Sequence, residues 1–193
     1  MFSLPDWAFY PIASLFVGGM IFGALSSGDS STRLPGDILE NGIVYDGVML
    51  NSITLGNGLN ANVMVENNQE FVRIDAVRGP FDGPQSAGAF FTLTPNEIEA
   101  IQSHVIQVTY VARSSRENGA SSSNFSFFVP GIGQDSWQSF PVTDEFSDVS
   151  VIVSPPSCEW DWSYIGIWPD WTTNANSIDV QSVKIEALEP AKC

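Results

Sequence analysis

Val105-Ile-Gln-Val-Thr-Tyr-Val-Ala-Arg113 is the stretch of sequence that decides the fold. Apolar and polar residues alternate along it and several are β-branched, which is typical of a strand with one buried face. Further β-type runs lie on both sides, from Ile43–Leu50 to Ile178–Ala187, with turn signals such as Asn57-Gly58 between them. About nine or ten strands with regular turn spacing predict an all-β sandwich or barrel.

One short helix is predicted between two of these strands, at Thr94-Pro95-Asn96-Glu97. The threonine can cap the helix, the proline suits the first helical position, and the glutamate can complete a capping box. Ile98 and Ile101 then give a short amphipathic face that ends near His104. We expect no other substantial helix in residues 34–193.

An uncharged apolar segment, Trp7–Leu25, precedes the β-rich region. A helix of this length, at 1.5 Å per residue, nearly matches the hydrocarbon thickness of a bilayer. Residues 1–25 are therefore predicted to form one transmembrane anchor, with lipid contact through residues 7–25. Two alternatives stay open: a signal peptide cleaved near Ala24-Leu25-Ser26, and a buried helix of a soluble fold.

Small residues on this segment suggest a partner within the membrane. Gly18, Gly19 and Gly23 would let the backbone of another helix approach closely.

Residues 26–33 are predicted to be a flexible polar linker, and residues 34–193 a single β-sandwich domain. By analogy with exported binding domains, we expect a cytoplasmic N-terminus and a periplasmic C-terminal domain at the cell inner membrane.

The charge balance and the residue types exclude several functions. The chain carries 22 acidic and 7 basic residues, a formal charge of −15, so a nucleic-acid partner is not expected. A single histidine excludes a catalytic zinc built from imidazoles, and no Gly-x-Ser-x-Gly or phosphate-binding glycine loop occurs. The sequence therefore predicts a non-catalytic protein.

The C-terminal half resembles a known group of jelly-roll domains. The segments that carry the resemblance are Val105–Arg113, Ser136–Val142, Val149–Pro156, Tyr164–Asp170 and Ile178–Glu186. Their order is similar to that of the galactose-binding-like jelly rolls, especially the CenC-like carbohydrate-binding modules. The resemblance implies a jelly-roll β-sandwich of two antiparallel sheets. It also implies a sugar site on a concave face or edge loop, although many relatives serve as interaction domains instead.

A structural calcium ion is common in that group, and hard cations need several oxygen ligands. The acidic residues that would supply them are Asp46, Asp75 and Asp179, with Asp37 and Glu40 as further candidates. The alternative is that these are ordinary solvated carboxylates.

Aromatic and acidic residues are concentrated between residues 158 and 171. Rings stack on the C–H faces of sugars and carboxylates accept sugar hydroxyls, while the same residue types anchor protein interfaces. The candidates for a sugar-binding or partner-binding surface are Trp160, Trp162, Trp171, Asp161 and Asp170. The alternative is that these rings belong to the core or cover a loop.

The two cysteines, Cys158 and Cys193, are candidates for a disulfide bond. Such a bond would form in an oxidising compartment, and two unpaired thiols are the alternative.

Two functions follow from these observations. The first is a single-pass accessory subunit of a larger bacterial membrane complex, respiratory or photosynthetic, whose β-sandwich covers the periplasmic face. Its partner would be that integral-membrane complex. The alternative is a membrane-tethered carbohydrate-binding module. Apart from structural calcium, neither function calls for a cofactor.

Overall fold

The computed structural model describes residues 33–80, 87–130, 137–155 and 157–192. Its elements all belong to one structural unit, Leu34–Cys193. The predicted anchor lies outside the described residues, as do Gly18, Gly19, Gly23 and all of the predicted linker except its last residue. Within the described ranges, no helix has the length and apolar character needed to cross a membrane.

Eleven strands, two α-helices and one 3-10 helix make up the described part of the chain. In chain order they are α1 (Pro35–Asn41), β1 (Ile43–Asp46), the 3-10 helix (Gly47–Ser52), β2 (Thr54–Leu55), β3 (Leu59–Glu66), β4 (Gln69–Ala76), β5 (Ala89–Thr92), α2 (Pro95–Ile101), β6 (His104–Ser114), β7 (Ser122–Phe128), β8 (Gln138–Pro141), β9 (Ser147–Val153), β10 (Tyr164–Pro169) and β11 (Ser177–Pro190).

These strands form two antiparallel sheets. Sheet A has the order β3-β4-β11-β6-β9, and β1 pairs with β11 beside β4. Sheet B has the order β2-β5-β10-β7-β8. This architecture confirms the predicted all-β jelly-roll sandwich.

The core lies between the two sheets because each strand alternates buried and outward residues. In β6, the fully buried residues include Ile106, Val108 and Ala112. Aromatic contacts join the sheets: Tyr45 of β1 stacks on Phe91 of β5 with ring centroids 4.3 Å apart. Such packing of two apolar faces is the main stabilising contribution in a sandwich.

The run Ile43–Leu50, predicted as one strand, changes conformation in its middle. β1 ends at Asp46, and the 3-10 helix buries Leu50 instead of a strand residue. Gly47 has φ +47°, a left-handed value that glycine adopts without a Cβ clash, and the strand stops there. The prediction of a continuous strand was wrong because apolar runs of this length do not distinguish a strand from a helical turn.

Helix α2 confirms the predicted capping box. The Oγ1 atom of Thr94 accepts a hydrogen bond from the backbone N–H of Glu97, and the carboxylate of Glu97 accepts one from the backbone N–H of Thr94. The expectation of no other substantial helix was wrong, because α1 is as long as α2; Pro35 at its start and Gly42 at its end, with φ +74°, are typical helix-boundary residues.

Candidate functional site

The face of sheet B that turns away from the core carries a series of aromatic side chains. In β10, the two isoleucines enter the core, and alternation therefore turns Tyr164 and Trp168 outward. The strand register places Phe90 of β5 and Phe128 of β7 on the same outer face. The rings belong to two groups, one closed and one open to solvent.

The closed group extends from Phe128, the register partner of Tyr164, toward the end of β10 that leads to residue 171. Its members are Phe128, Trp137, Trp168 and Trp171, whose neighbouring ring centroids are 5.5–6.1 Å apart in edge-to-face contacts. Trp168 is fully buried, and its Nε1 donates a hydrogen bond of 2.8 Å to the carbonyl of Arg78. Gly79 lies against the ring of Trp171, where a side chain would overlap it. Trp168 and Phe128 are buried in this group, whereas Trp137 and Trp171 are half-buried and meet their neighbours edge-on.

The open group is a strip of three rings, Trp162, Tyr164 and Phe90, which we call the aromatic strip. Trp162 is 39% exposed and lies 5.3 Å from Tyr164, with an interplanar angle of 31°. Tyr164 meets Phe90 edge-on at 5.1 Å. Both Tyr164 and Phe90 are half-buried, so their inner edges are fixed while other parts of the rings reach solvent. The strip is thus a supported apolar surface.

A hollow of about 740 Å³ adjoins the strip at Phe90. Its walls are β2, the loop Gly56–Gly58, the first residues of β3, and Val77. Backbone hydrogen bonds hold the loop, from Gly56 N to Gly88 O and from Val77 N to Gly58 O. None of the described lining residues is charged, and the side chains of Asn57, Asn60 and Thr54 offer amide and hydroxyl groups.

Together, the strip and the hollow suit a neutral, polyhydroxylated ligand. Aromatic rings pack against apolar C–H faces, and a small number of amide and hydroxyl groups fix orientation. Binding would bury no charged side chain of the described lining, although the guanidinium of Arg78 donates a hydrogen bond to the backbone carbonyl of Asn57 next to the hollow.

The five residues predicted as one surface lie in different environments. Trp162 belongs to the aromatic strip, and Trp171 belongs to the closed group at the opposite end of β10. Trp160 is only 6% exposed and packs edge-on against Phe127 at 5.9 Å, so its ring faces the core. The structure therefore brings only Trp162 of the three tryptophans to an open site.

The two acidic candidates of that surface also differ. Asp161 is exposed beside the strip. Asp170 closes the turn after β10, where its carboxylate accepts hydrogen bonds of 2.8 Å from the backbone N–H and the hydroxyl of Thr172. These bonds, the backbone one first, hold the pKa of Asp170 below its usual value.

Sequence reasoning missed Phe90, Asn57 and Asn60 as site residues. A signal existed for the first: Phe90 and Phe91 are adjacent in a strand, so one must face outward. Nothing local identifies the asparagines, because they reach the hollow only through the meeting of β2, β3 and β5.

The acidic residues predicted to bind calcium do not come together. Asp179 is fully buried and accepts hydrogen bonds from Arg73 Nε at 2.8 Å, Arg113 Nε at 2.9 Å and the hydroxyl of Ser115. Asp75 accepts one from Ser177. Across the described ranges, no group of three or more His, Cys, Asp or Glu residues could hold a metal ion. Arginine side chains thus occupy the carboxylate of Asp179, and a calcium site at Asp46, Asp75 and Asp179 stays a prediction from the sequence.

Two arginines that are far apart in the sequence meet at Asp179, and a third, Arg116, joins them through Glu66. Arg73 and Arg113 pair with it directly, and Arg113 also pairs with Glu66 at 2.7 Å, which in turn pairs with Arg116. Burial would raise the pKa of Asp179, but the hydrogen bonds from Arg73, Ser115 and Arg113 outweigh it and lower that pKa. We call these residues the Asp179 network.

Cys158 is disulfide-bonded, and its predicted partner, Cys193, lies outside the described residues.

Comparisons with known proteins identify the fold. No family model matches the sequence, and no curated protein gives a significant match. The CBM22-1 xylan-binding domain of Paenibacillus barcinonensis Xyn10C is similar in structure, with a TM-score of 0.50 and 11% identity over 77% of this chain and 95% of that domain. The CBM22-1-CBM22-2 tandem of the same protein gives 0.51 and 12% over 80% of this chain. This chain spans 46% of the tandem.

At these identities the likeness establishes the fold alone, a β-sandwich like that of carbohydrate-binding modules. It gives no support to an accessory subunit of a membrane complex, whether respiratory or photosynthetic. The residues on which that hypothesis rests, 7–25, lie outside the described part of the chain.

Proposed function

We propose that this domain is a non-catalytic module that binds a neutral polysaccharide through the aromatic strip and the adjoining hollow. The observation that carries the proposal is the strip itself: Tyr164 contacts both Trp162 and Phe90, and the three rings lead into a hollow whose described lining is uncharged. The fold shared with a xylan-binding domain supports the same class of ligand.

Each part of the site has a separate task in this proposal. Trp162 and Tyr164 pack against the C–H faces of sugar rings, which removes apolar surface from water without breaking sugar hydrogen bonds. Asn57, Asn60 and Thr54 exchange hydrogen bonds with hydroxyl groups in the hollow. A neutral ligand is favoured, because an anionic one would approach a protein of net charge −15.

A location outside the cytoplasm belongs to the same proposal. It is supported by the disulfide-bonded state of Cys158, since such bonds persist in oxidising compartments. Attachment to the cell inner membrane through residues 7–25 stays a prediction from the sequence.

The test is binding of the full chain to a panel of neutral polysaccharides, xylan and β-glucan included, by affinity electrophoresis and calorimetry. We expect Trp162→Ala to weaken binding about tenfold or more, which corresponds to about 1.4 kcal/mol. The control is Ile152→Ala on β9, which removes an exposed apolar side chain from the other sheet. A panel without any bound polysaccharide would refute the proposal, as would equal affinity of the Trp162 variant and the wild type.

A further inference from the structure

Strand β3 forms one edge of sheet A and has no neighbour on its outer side in the described part of the chain. It is eight residues long and pairs with β4 without interruption, from Leu59↔Ala76 to Glu66↔Gln69. Three consecutive apolar side chains are exposed on it: Val63 by 44%, Met64 by 37% and Val65 by 66%. Natural edge strands usually carry a lysine, a proline, a bulge or an inward-facing charge that blocks further pairing. None of these protects β3.

The direction of the backbone groups of β3 follows from one hydrogen bond. Val77 N donates to Gly58 O, and the register makes these two residues direct partners. In an antiparallel pair, hydrogen-bonded and non-bonded residues alternate. The even-numbered residues of β3 therefore direct N–H and C=O toward β4, and the odd-numbered residues direct theirs to the free edge. Leu59 N already bonds Gly56 O, which leaves Ala61, Val63 and Val65 with open groups.

This open edge is complementary to itself, and we propose that β3 pairs with β3 of a second copy of this chain. The two strands run antiparallel about a two-fold axis at Val63. In this register Val63 faces Val63 of the partner subunit, and Ala61 faces Val65 of the partner subunit. All open N–H and C=O groups find partners, and sheet A continues across the dimer.

The side chains of β3 agree with this register. Ala61, Val63 and Val65 share one face, so the two copies form a continuous apolar stripe there. On the other face, Glu66 lies opposite Asn60 of the partner subunit, where the amide can donate to the carboxylate. The two Glu66 residues are then about 20 Å apart by the rise of a strand, far beyond the screening length of physiological salt. The contact thus contains no opposed like charges.

The first test is sedimentation equilibrium of the full chain in mild detergent over a wide range of concentration. We expect a monomer–dimer equilibrium that Val63→Lys weakens at least tenfold, because two added charges would face each other at the axis. Added salt should strengthen the wild-type dimer, since the contact is uncharged and each copy carries −15.

The control for this test is Ile152→Lys, which adds the same charge to β9, the opposite edge of sheet A. A monomer at every concentration would overturn the proposal, as would a dimer that survives Val63→Lys or is lost in Ile152→Lys.

The second test reads the register directly by amide hydrogen exchange. Protection of the Ala61, Val63 and Val65 amides should rise with protein concentration, whereas Asn62 and Met64, already bonded to β4, should not change. Equal changes at odd and even positions would contradict the proposed pairing. Trp162→Ala should dimerise as the wild type does, so the result is independent of carbohydrate binding.

Discussion

Asp179 is the residue whose replacement should most affect stability. Its carboxylate is fully buried on the outer face of sheet A, and among the described residues Arg73 and Arg113 balance its charge. Removing one partner of a buried ion pair leaves the others uncompensated, which typically costs about 3–5 kcal/mol. We expect Asp179→Asn to lower the free energy of unfolding at neutral pH by this amount, measured by urea denaturation. Asp148→Asn, an exposed acid on β9, should change it by less than about 0.5 kcal/mol.

The same residue predicts how stability depends on pH. The pKa of Asp179 is lower in the fold than in the unfolded chain, where it is about 3.9. Its contribution to stability is therefore present above the unfolded pKa and is lost as the pH falls through the lower folded value. The difference between wild type and Asp179→Asn should shrink below about pH 4. A difference that stays constant between neutral and acidic pH would show that the charge of Asp179 contributes little.

The sequence indicates which residue types could form a site, but it does not show whether each of those side chains is buried or exposed. Trp160 and Trp162 are two positions apart, yet the first is 6% and the second 39% exposed. Their difference depends on Phe127 and Tyr164, which the local sequence does not place. Likewise, Asp179 pairs with arginines 106 and 66 residues away, so its burial follows only from strand pairing.

Among the elements, helix α2 depends most clearly on one local interaction. Thr94 and Glu97 satisfy each other's backbone N–H groups at its first turn. We expect Thr94→Ala to lower the free energy of unfolding by about 1 kcal/mol, because both the cap acceptor and its contact with Glu97 are lost. Thermal or urea unfolding would measure this change. Glu99→Ala, an exposed residue on the same helix, serves as the control, and an equal loss there would contradict a capping effect.

Elements with strong local signals were predictable, and those determined by neighbours were not. The capping box specifies α2 within four residues, and the alternation of Val105–Arg113 specifies most of β6. By contrast, β3 is an edge strand only because β4 pairs with β11, and no local feature of its sequence indicates that position. The open edge could therefore be recognised only from the strand order.

The net charge of the whole molecule and the charge of the candidate site have different effects on ligand binding. The chain carries −15, yet the described lining of the hollow carries none. We expect affinity for a neutral polysaccharide to change less than about twofold between about 0.05 and 0.5 M salt. Polygalacturonate should bind more weakly than a neutral polysaccharide at low salt, measured by the same calorimetry. A steep salt dependence for the neutral ligand would mean that charged residues outside the hollow take part.

The fold class of the whole molecule was predictable because alternation and turn spacing recur along most of the chain. The order of the strands was not, since it depends on contacts between distant segments. The candidate site lies where β2, β3 and β5 meet, so its residues could be recognised only after that order was known.

β11 is the last strand along the described chain, and it pairs with β1, β4 and β6. During synthesis, those three strands emerge from the ribosome before the one segment that joins them. A nascent chain that has not reached residues 177–190 cannot complete sheet A, and such late, long-range pairing slows folding. The sides of β1, β4 and β6 that β11 will occupy therefore stay without their partner while all the intervening residues are synthesised.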